Sequence, residues 1–496
     1  MNSIFLHHTD SVVIALEALS AGECWDLAGI KTDVEEQLKP GHKYAIKPIA
    51  EGERVYKYGA PIGVATVDIA RGEHVHSHNM ATSLSGLETY HYKCNELPAQ
   101  SDKTGCNRTF FGYPRENGRV GTRNEIWVLS TVGCVARLAQ KIACKAADLY
   151  SDQCDGVFAF THPFGCSQTG DDLEKTQEII AALAQHPNAG GVLVLGLGCE
   201  NNQGKQLLKM IPAEHHRRIR FFNCQEAMDE VALGIHSIGE LTQITTLDRR
   251  IKCPLSDLVL GMKCGGSDGF SGLSANPLVG RVADQLCGVD GTVLLTETPE
   301  MFGAEQILMN RAASRAVFED IVRLVNDFKR YFIDHNQNIY ENPSPGNIAG
   351  GITTLEEKSM GAIQKGGVAS VKGVLRYAQP VVDCGLHLLQ APGNDGVSST
   401  ALTASGATMI LFTTGRGTPL GFPAPTIKIA SNSALAKSKK NWIDFDAGQL
   451  FTGKELSELS EELLDFIVDV ASGRQQTCSE RNDQREIAIW KNGVTL

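Results

Sequence analysis

Four short apolar stretches, set apart by segments of helical period, constrain the fold of this chain more than any other feature. They are residues 125–131 (EIWVLST), 156–161 (GVFAFT), 191–197 (GVLVLGL) and 219–223 (IRFFN), none of which alternates apolar with polar. A strand that is apolar on both sides must be buried on both sides, as in a parallel sheet covered by helices. Helical patterns over 171–185 and 226–241 accompany these stretches, so a doubly wound α/β unit is predicted. The theme returns later in the chain, with strand candidates at 258–262, 292–296, 386–390, 409–413 and 426–430. Long amphipathic helices are predicted over 304–335 and 455–472.

The first part of the chain reads differently. Residues 1–92 carry short β-like runs between turns at Ala21-Gly22, Pro40-Gly41 and Glu51-Gly52, which predicts a small β-rich module. Residues 93–112 are polar, without helical or strand period, and read as a linker. The expected division is therefore 1–92, the linker 93–112, a first α/β part 113–250 and a second 251–496, since 496 residues exceed one ordinary core. Lys and Arg number 46 against 57 Asp and Glu, a balance of −11 that argues against nucleic acid as the main partner. No stretch has the length of a membrane helix, and no cationic segment precedes the short apolar run 12–16, which Asp10 and Glu17 flank. The expected setting is the cytoplasm. The 14 cysteines lack paired spacing, so most are expected to be small buried hydrophobes rather than disulfide partners.

In an open α/β sheet, ligands bind beyond the carboxyl ends of the strands. Here those ends carry seven glycine-rich polar loops: 131–134, 162–168, 198–202, 263–269, 297–305, 392–395 and 415–419. One such loop merely ends a strand as often as it makes a site, but seven in series favour a shared polar site. No nucleotide-binding glycine fingerprint, phosphate loop or serine nucleophile elbow is present. Metal or acid–base chemistry is what remains.

Five segments carry a resemblance. They are His74-Val75-His76-Ser77-His78-Asn79, Gly198-Cys199-Glu200-Asn201-Asn202-Gln203, Cys264-Gly265-Gly266-Ser267-Asp268-Gly269, Glu341-Asn342-Pro343-Ser344-Pro345-Gly346-Asn347 and Thr414-Gly415-Arg416-Gly417-Thr418-Pro419. The chain resembles the altronate and galactarate dehydratase family over nearly its whole length. Its length and C-terminal ending lie nearer the altronate branch. The resemblance implies an N-terminal SAF-type β-clip domain, a C-terminal catalytic part, and loss of water assisted by iron(II) or manganese(II). The implied reaction is D-altronate to 2-dehydro-3-deoxy-D-gluconate in hexuronate breakdown. The alternatives are a galactarate or other aldarate dehydratase, and a protein that binds a sugar acid without turning it over. The expected partner is a small sugar acid, not nucleic acid or membrane, with a homo-oligomer left open.

Removing water from a 2,3-dihydroxy acid needs a base at C2, an acid near the C3 hydroxyl, and positive charge to stabilise the anion that forms. His76 and His78, two apart on a strand-like segment, would share one side and could hold a metal, with His74 of the same parity; a solvated His run is the plain alternative. Cys134, Cys166 and Cys199 each follow a predicted parallel strand and offer a competing iron–sulfur site, although their spacing matches no compact ferredoxin run. His162 is the first candidate base and Glu200 the second. Lys428, in an apolar strand, is either a base of lowered pKa or a snorkelling surface lysine. Arg123 and Arg416 are candidates for the substrate carboxylate, against the commoner use of Arg in surface ion pairs. Ser267, Asp268 and Asn394 are further substrate-binding candidates. Asp268, Glu297 and Asp395 could also serve as metal ligands or acids, or simply as turn residues.

Overall fold

The computed structural model describes residues 2–27, 30–93 and 108–496. Most of the expected linker, 94–107 with Cys94 and Cys106, lies outside the described residues. Its last residues are not irregular: Thr109–Pro114 is a strand, paired antiparallel with Ile251–Pro254.

The N-terminal module is built from short antiparallel strands in small sheets. Val12–Ala15 and Lys43–Ala45 are fully buried at its centre, and Val12, Ala45, Val55, Ile62 and Val75 form one of its two small cores.

A four-stranded parallel sheet follows, made of β1 (Glu125–Ser130), β2 (Val157–Phe160), β3 (Ala189–Gly196) and β4 (Ile219–Asn223) in the order β2-β1-β3-β4. All six residues of β1 and all eight of β3 are buried, which is what their unbroken apolar runs require. Helices α1 (Ala136–Tyr150), α2 (Gly170–Leu183) and α3 (Glu230–Thr245) cover the sheet.

The last part holds seven parallel strands: β5 (Val259–Cys264), β6 (Thr292–Leu295), β7 (Val371–Leu375), β8 (Gly385–Leu389), β9 (Met409–Thr414), β10 (Thr426–Ala430) and β11 (Phe445–Asp446). Their order is β7-β8-β6-β5-β9-β10-β11. The five inner strands match the expected ones to within a residue or two. The two edge strands were not expected, because β7 is interrupted by Lys372 and Gly373 and β11 has only two residues.

The helix expected over 304–335 is two helices, Glu305–Met309 and Arg315–Asp334. Between them Ala313 N donates to Val371 O of the edge strand at 2.9 Å, and Ser314 caps the second helix by accepting from Val317 N. A backbone bond to a strand and a new N-cap compete with helix continuation, and here they prevail.

The N-terminal module docks on the last part through charge and close backbone contact. Lys43 and Lys57 Nζ each bond one oxygen of Glu357 at 2.8 Å, and all three side chains are about 1% exposed. A Cβ on Gly269 would stand 2.0 Å from Gly41 O, so the two backbones meet where only glycine fits. No helix among the described residues is long and apolar enough to cross a membrane.

Candidate active site at the carboxyl ends of the parallel strands

The four central strands of the seven-stranded sheet, β8, β6, β5 and β9, end together. β5 delivers Lys263 and Cys264, the turn after β6 delivers Glu297 and Glu300, and the turn after β8 delivers Gly393, Asn394 and Asp395. Above them opens a cleft of about 860 Å³ whose polar lining includes Glu300, Asn342, Asn347, Lys358, Asn394 and Asp395. Aromatic side chains of the helix Arg315–Asp334, among them Phe328 and Tyr331, form one wall.

The floor of the cleft is a network of opposite charges. Lys263 and Glu297, both 0% exposed, form an ion pair, and Lys263 Nζ also reaches Asp395 Oδ1 at 2.9 Å. Lys365 Nζ donates to Glu297 Oε2 at 3.0 Å and to Cys264 Sγ at 2.8 Å. Cys264 Sγ lies 3.3 Å from both Glu297 Oε2 and Glu300 Oε2. Lys358 Nζ bonds Glu300 Oε1 at 2.8 Å, Asn342 Oδ1 at 2.9 Å and Asn347 Oδ1 at 3.2 Å. Glu297 is held at φ 70°, a left-handed conformation that a non-glycine residue adopts at a cost and that turns its carboxylate back to the lysines.

Burial alone would raise the carboxyl of Glu300. For Glu300 the ammonium groups of Lys358, Lys263 and Lys365 outweigh it and hold the group at about 2. For Cys264 burial comes first, Glu297 and Glu300 add to it, and the thiol is pushed up to about 12. At neutral pH Glu300 is thus ionised and the Cys264 thiol neutral, while the carboxylates around Lys263 and Lys365 favour the charged forms of these lysines. Asp395 differs from the rest: its side chain is 34% exposed and faces the cleft.

Of the residues expected from sequence, Asn394 and Asp395 line this cleft, with Asn394 Oδ1 accepting from Val397 N as a helix cap. Arg416 is exposed at the rim, where its backbone N donates to Gly266 O and its side chain runs past Gly346. Among the described residues it has no carboxylate partner.

Others are committed elsewhere. Arg123 makes a buried, bidentate ion pair with Glu480 at 2.7 and 3.1 Å and donates to Thr122 O and Val470 O, so four of its five N–H groups and its charge are already engaged away from the cleft. Asp268 accepts from Ser271, Ser431 and Asn432, pinning the loop after β5 to the end of β10. Ser267 lies in the same pinned loop, its carbonyl accepting from Asn347 Nδ2 at 2.8 Å. Lys428 sits in β10, held down to about 8 by burial despite Asp444, and donates to Pro419 O.

His162 and Glu200 are at the other sheet. His162 Nε2 bonds Ser130 O at 2.9 Å, its Nδ1 accepts from Phe164 N, and burial lowers it to about 4. Glu200 accepts from Thr131 Oγ1 and from the amides of Leu197 and Gly198. Both order their own loops and do not reach the cleft lining.

The histidines of the N-terminal module gather, but not by the expected parity. The strand stops at Val75 and a turn begins at His76, whose carbonyl accepts from Asn79 N, so His76 and His78 do not share a side. His76 turns to Ile348 O at 3.0 Å. Glu36, His74 and His78 bring one donor atom each within 4.8 Å of one another. His42 Nδ1 lies 3.0 Å from His74 Nε2. Burial first, then the neighbouring imidazoles, lowers His74 to about 3. Cys264, Glu297 and Glu300 also converge within 4.8 Å, but lysine ammonium groups already fill that set.

Sequence reasoning missed Lys263, Cys264, Glu300, Lys358 and Lys365 as site residues. Lys263 carried the signal, a lysine inside an apolar strand, that was read at Lys428. Lys358 and Lys365 carry none, since they lie in an ordinary polar segment.

Fold and cleft together define an enzyme-like α/β protein with a β-rich module docked on its catalytic-type sheet, and the chain belongs to the altronate/galactarate dehydratase family. Family profiles match end to end: "Altronate/galactarate dehydratase SAF domain" over residues 1–83, "D-galactarate dehydratase/Altronate hydrolase, second domain" over 112–246, and "D-galactarate/Altronate dehydratase, C-terminal" over 255–495. Among curated proteins, the chain is 49% identical to altronate dehydratase of Escherichia coli (strain K12) with 100% of both chains covered. It is 47% identical to altronate dehydratase of Bacillus subtilis (strain 168), with 99% of each covered. Galactarate dehydratase (L-threo-forming) of Escherichia coli (strain K12) is 33% identical, over 96% of this chain and 94% of its own.

Proposed function

We propose that this chain is a hydro-lyase that dehydrates D-altronate to 2-dehydro-3-deoxy-D-gluconate, as a cytoplasmic step of hexuronate breakdown. The observation that carries the reading is near-half identity, over the full length, to two altronate dehydratases, against 33% to a galactarate dehydratase. The cleft supports it chemically. Asp395, with a partly exposed carboxylate whose partner is Lys263, takes the C2 proton. Hydroxide leaves C3, and the resulting enol gains a proton at C3 to give the 2-keto acid. Arg416, at the rim and without an acidic partner among the described residues, binds the substrate carboxylate through parallel N–H bonds. Lys358, with Asn342 and Asn347 around it, places positive charge beside the reacting carbons, and Glu300 keeps that ammonium in position. Asn394 holds the turn that presents Asp395.

The residues here fit a divalent cation, iron(II) or manganese(II), best at His74, His78 and Glu36, with His42 beside them. Burial keeps His74 neutral, so its ring can offer a nitrogen to a cation beside the Glu36 carboxylate, 3.3 Å from His74 Nδ1. When bound, such an ion supplies positive charge that stabilises an anionic substrate.

The roles separate kinetically. Asp395→Asn should lower kcat by about 10²-fold or more with KM little changed, while Arg416→Ala should chiefly raise KM. Full keto-acid formation by Asp395→Asn would remove this assignment of the base.

A further inference from the structure

Eleven cysteines among the described residues are free, and five of them are exposed: Cys134, Cys144, Cys166, Cys199 and Cys384. Three of these five follow β1, β2 and β3. Those strands are direct neighbours in the sheet, with β1 in the middle. Adjacent strands lie about 4.8 Å apart, so the loops leaving their carboxyl ends start side by side.

The three loops are also bonded to one another. Gly133 N donates to Phe164 O at 2.8 Å, Asn202 N to Gly165 O at 3.0 Å, Ser167 N to Asn201 Oδ1 at 2.7 Å, and Asn202 Nδ2 to Thr131 O at 2.9 Å. Gly165, at φ +99°, packs so closely that a Cβ would lie 2.1 Å from Thr131 O. His162 ties the second loop to Ser130, and Glu200 ties the third to Thr131. Gln225 Nε2 points at Cys199 Sγ from 3.5 Å, a donor aimed at sulfur. Three exposed thiols on three rigid, interlocked loops make a pre-organised ligand set that the acid–base cleft does not use.

A single tetrahedral ion with bonds of about 2.3 Å to sulfur needs sulfurs about 3.8 Å apart. Among the described residues these three sulfurs do not fall within 4.8 Å of one another. The three sulfurs do not close on one ion, and three thiolates carried on neighbouring strand-end loops are the kind of set that a larger inorganic core takes. We infer that Cys134, Cys166 and Cys199 hold an iron–sulfur cluster of the four-iron type through three thiolates. The fourth iron then has no protein thiolate and is open to an oxygen ligand such as water or a hydroxy acid. In this arrangement His162, Glu200 and Gln225 are positioning residues for the cluster loops. The inference stands apart from the assignment of altronate as substrate.

The test is anaerobic reconstitution of the full chain with ferric iron, sulfide and a thiol reductant, followed by removal of unbound metal. The expected result is a broad visible absorption with roughly four irons and four acid-labile sulfides per chain. It should vanish in Cys134→Ser/Cys166→Ser/Cys199→Ser and persist in Cys144→Ser/Cys384→Ser. Alkylation mapped by mass spectrometry gives a readout that needs no variant: the loaded wild-type chain should protect these three thiols while Cys144 and Cys384 react. The proposal is overturned by bound iron without labile sulfide, by a cluster that survives the triple substitution, or by equal alkylation of all five thiols after reconstitution.

Discussion

Lys263 and Lys428 both interrupt apolar strands, yet they end in different roles. Lys263 reaches a strand end where Glu297 and Asp395 converge, whereas Lys428 meets a backbone carbonyl one strand beyond the cleft's neighbours. Sequence shows that a buried lysine needs a partner; which partner depends on strand order. Arg123 makes the same point, since its bidentate geometry was expected for a substrate and is used on Glu480. Arg123→Ala leaves Glu480 buried without its counter-charge and should cost about 3–5 kcal/mol in denaturant unfolding, with KM unchanged in protein that remains folded. Glu357 predicts a pH effect. Burial would raise it, but Lys43 and Lys57 together hold it at about 2, below the unfolded value near 4.3. A depressed carboxyl contributes stability that is full above the unfolded pKa and is lost as pH falls through the window from about 4.3 to 2, worth roughly 3 kcal/mol. Acid unfolding should lose that component in Glu357→Gln, which should also be less stable at neutral pH. An unchanged acid limb in that variant would contradict the account.

Among the elements, those with the strongest periodicity were the most legible. The inner strands and the helices Gly170–Leu183 and Leu456–Ala471 follow from apolar runs and a 3.6-residue period. Breaks in that logic came from tertiary bonds that no local pattern reveals. The strand bond at Ala313 splits a helix, and the turn at His76 cancels a two-residue alternation. The docking of the N-terminal module was likewise hidden, because it depends on Gly41 and Gly269 meeting backbone to backbone. Gly269→Ala pushes a methyl group into Gly41 O and should separate the module from the sheet. The expected readout is faster proteolysis near residues 84–93 and a lower melting temperature. Resistance equal to wild type would show that the docking tolerates a side chain there.

At the scale of the whole molecule, three parts bring together chemistry that no single part holds. The seven-stranded sheet supplies the lysine–carboxylate floor, the N-terminal module supplies histidines beside the Pro345–Ala349 helix, and the four-stranded sheet supplies the thiol loops. The α/β architecture was readable from unbroken apolar runs alternating with helical periods, and the family from five motif segments. The cleft was only partly readable, because Lys263 lies nearly a hundred residues before the segment that carries Lys358 and Lys365. The most direct measurement is keto-acid formation by the purified chain, supplied with iron(II) or manganese(II), from D-altronate and galactarate in parallel. Turnover of D-altronate with a kcat/KM well above that for galactarate, lowered about 10²-fold or more in Asp395→Asn, is the expected result. A preference for galactarate, or binding of D-altronate with no keto acid formed, would contradict it.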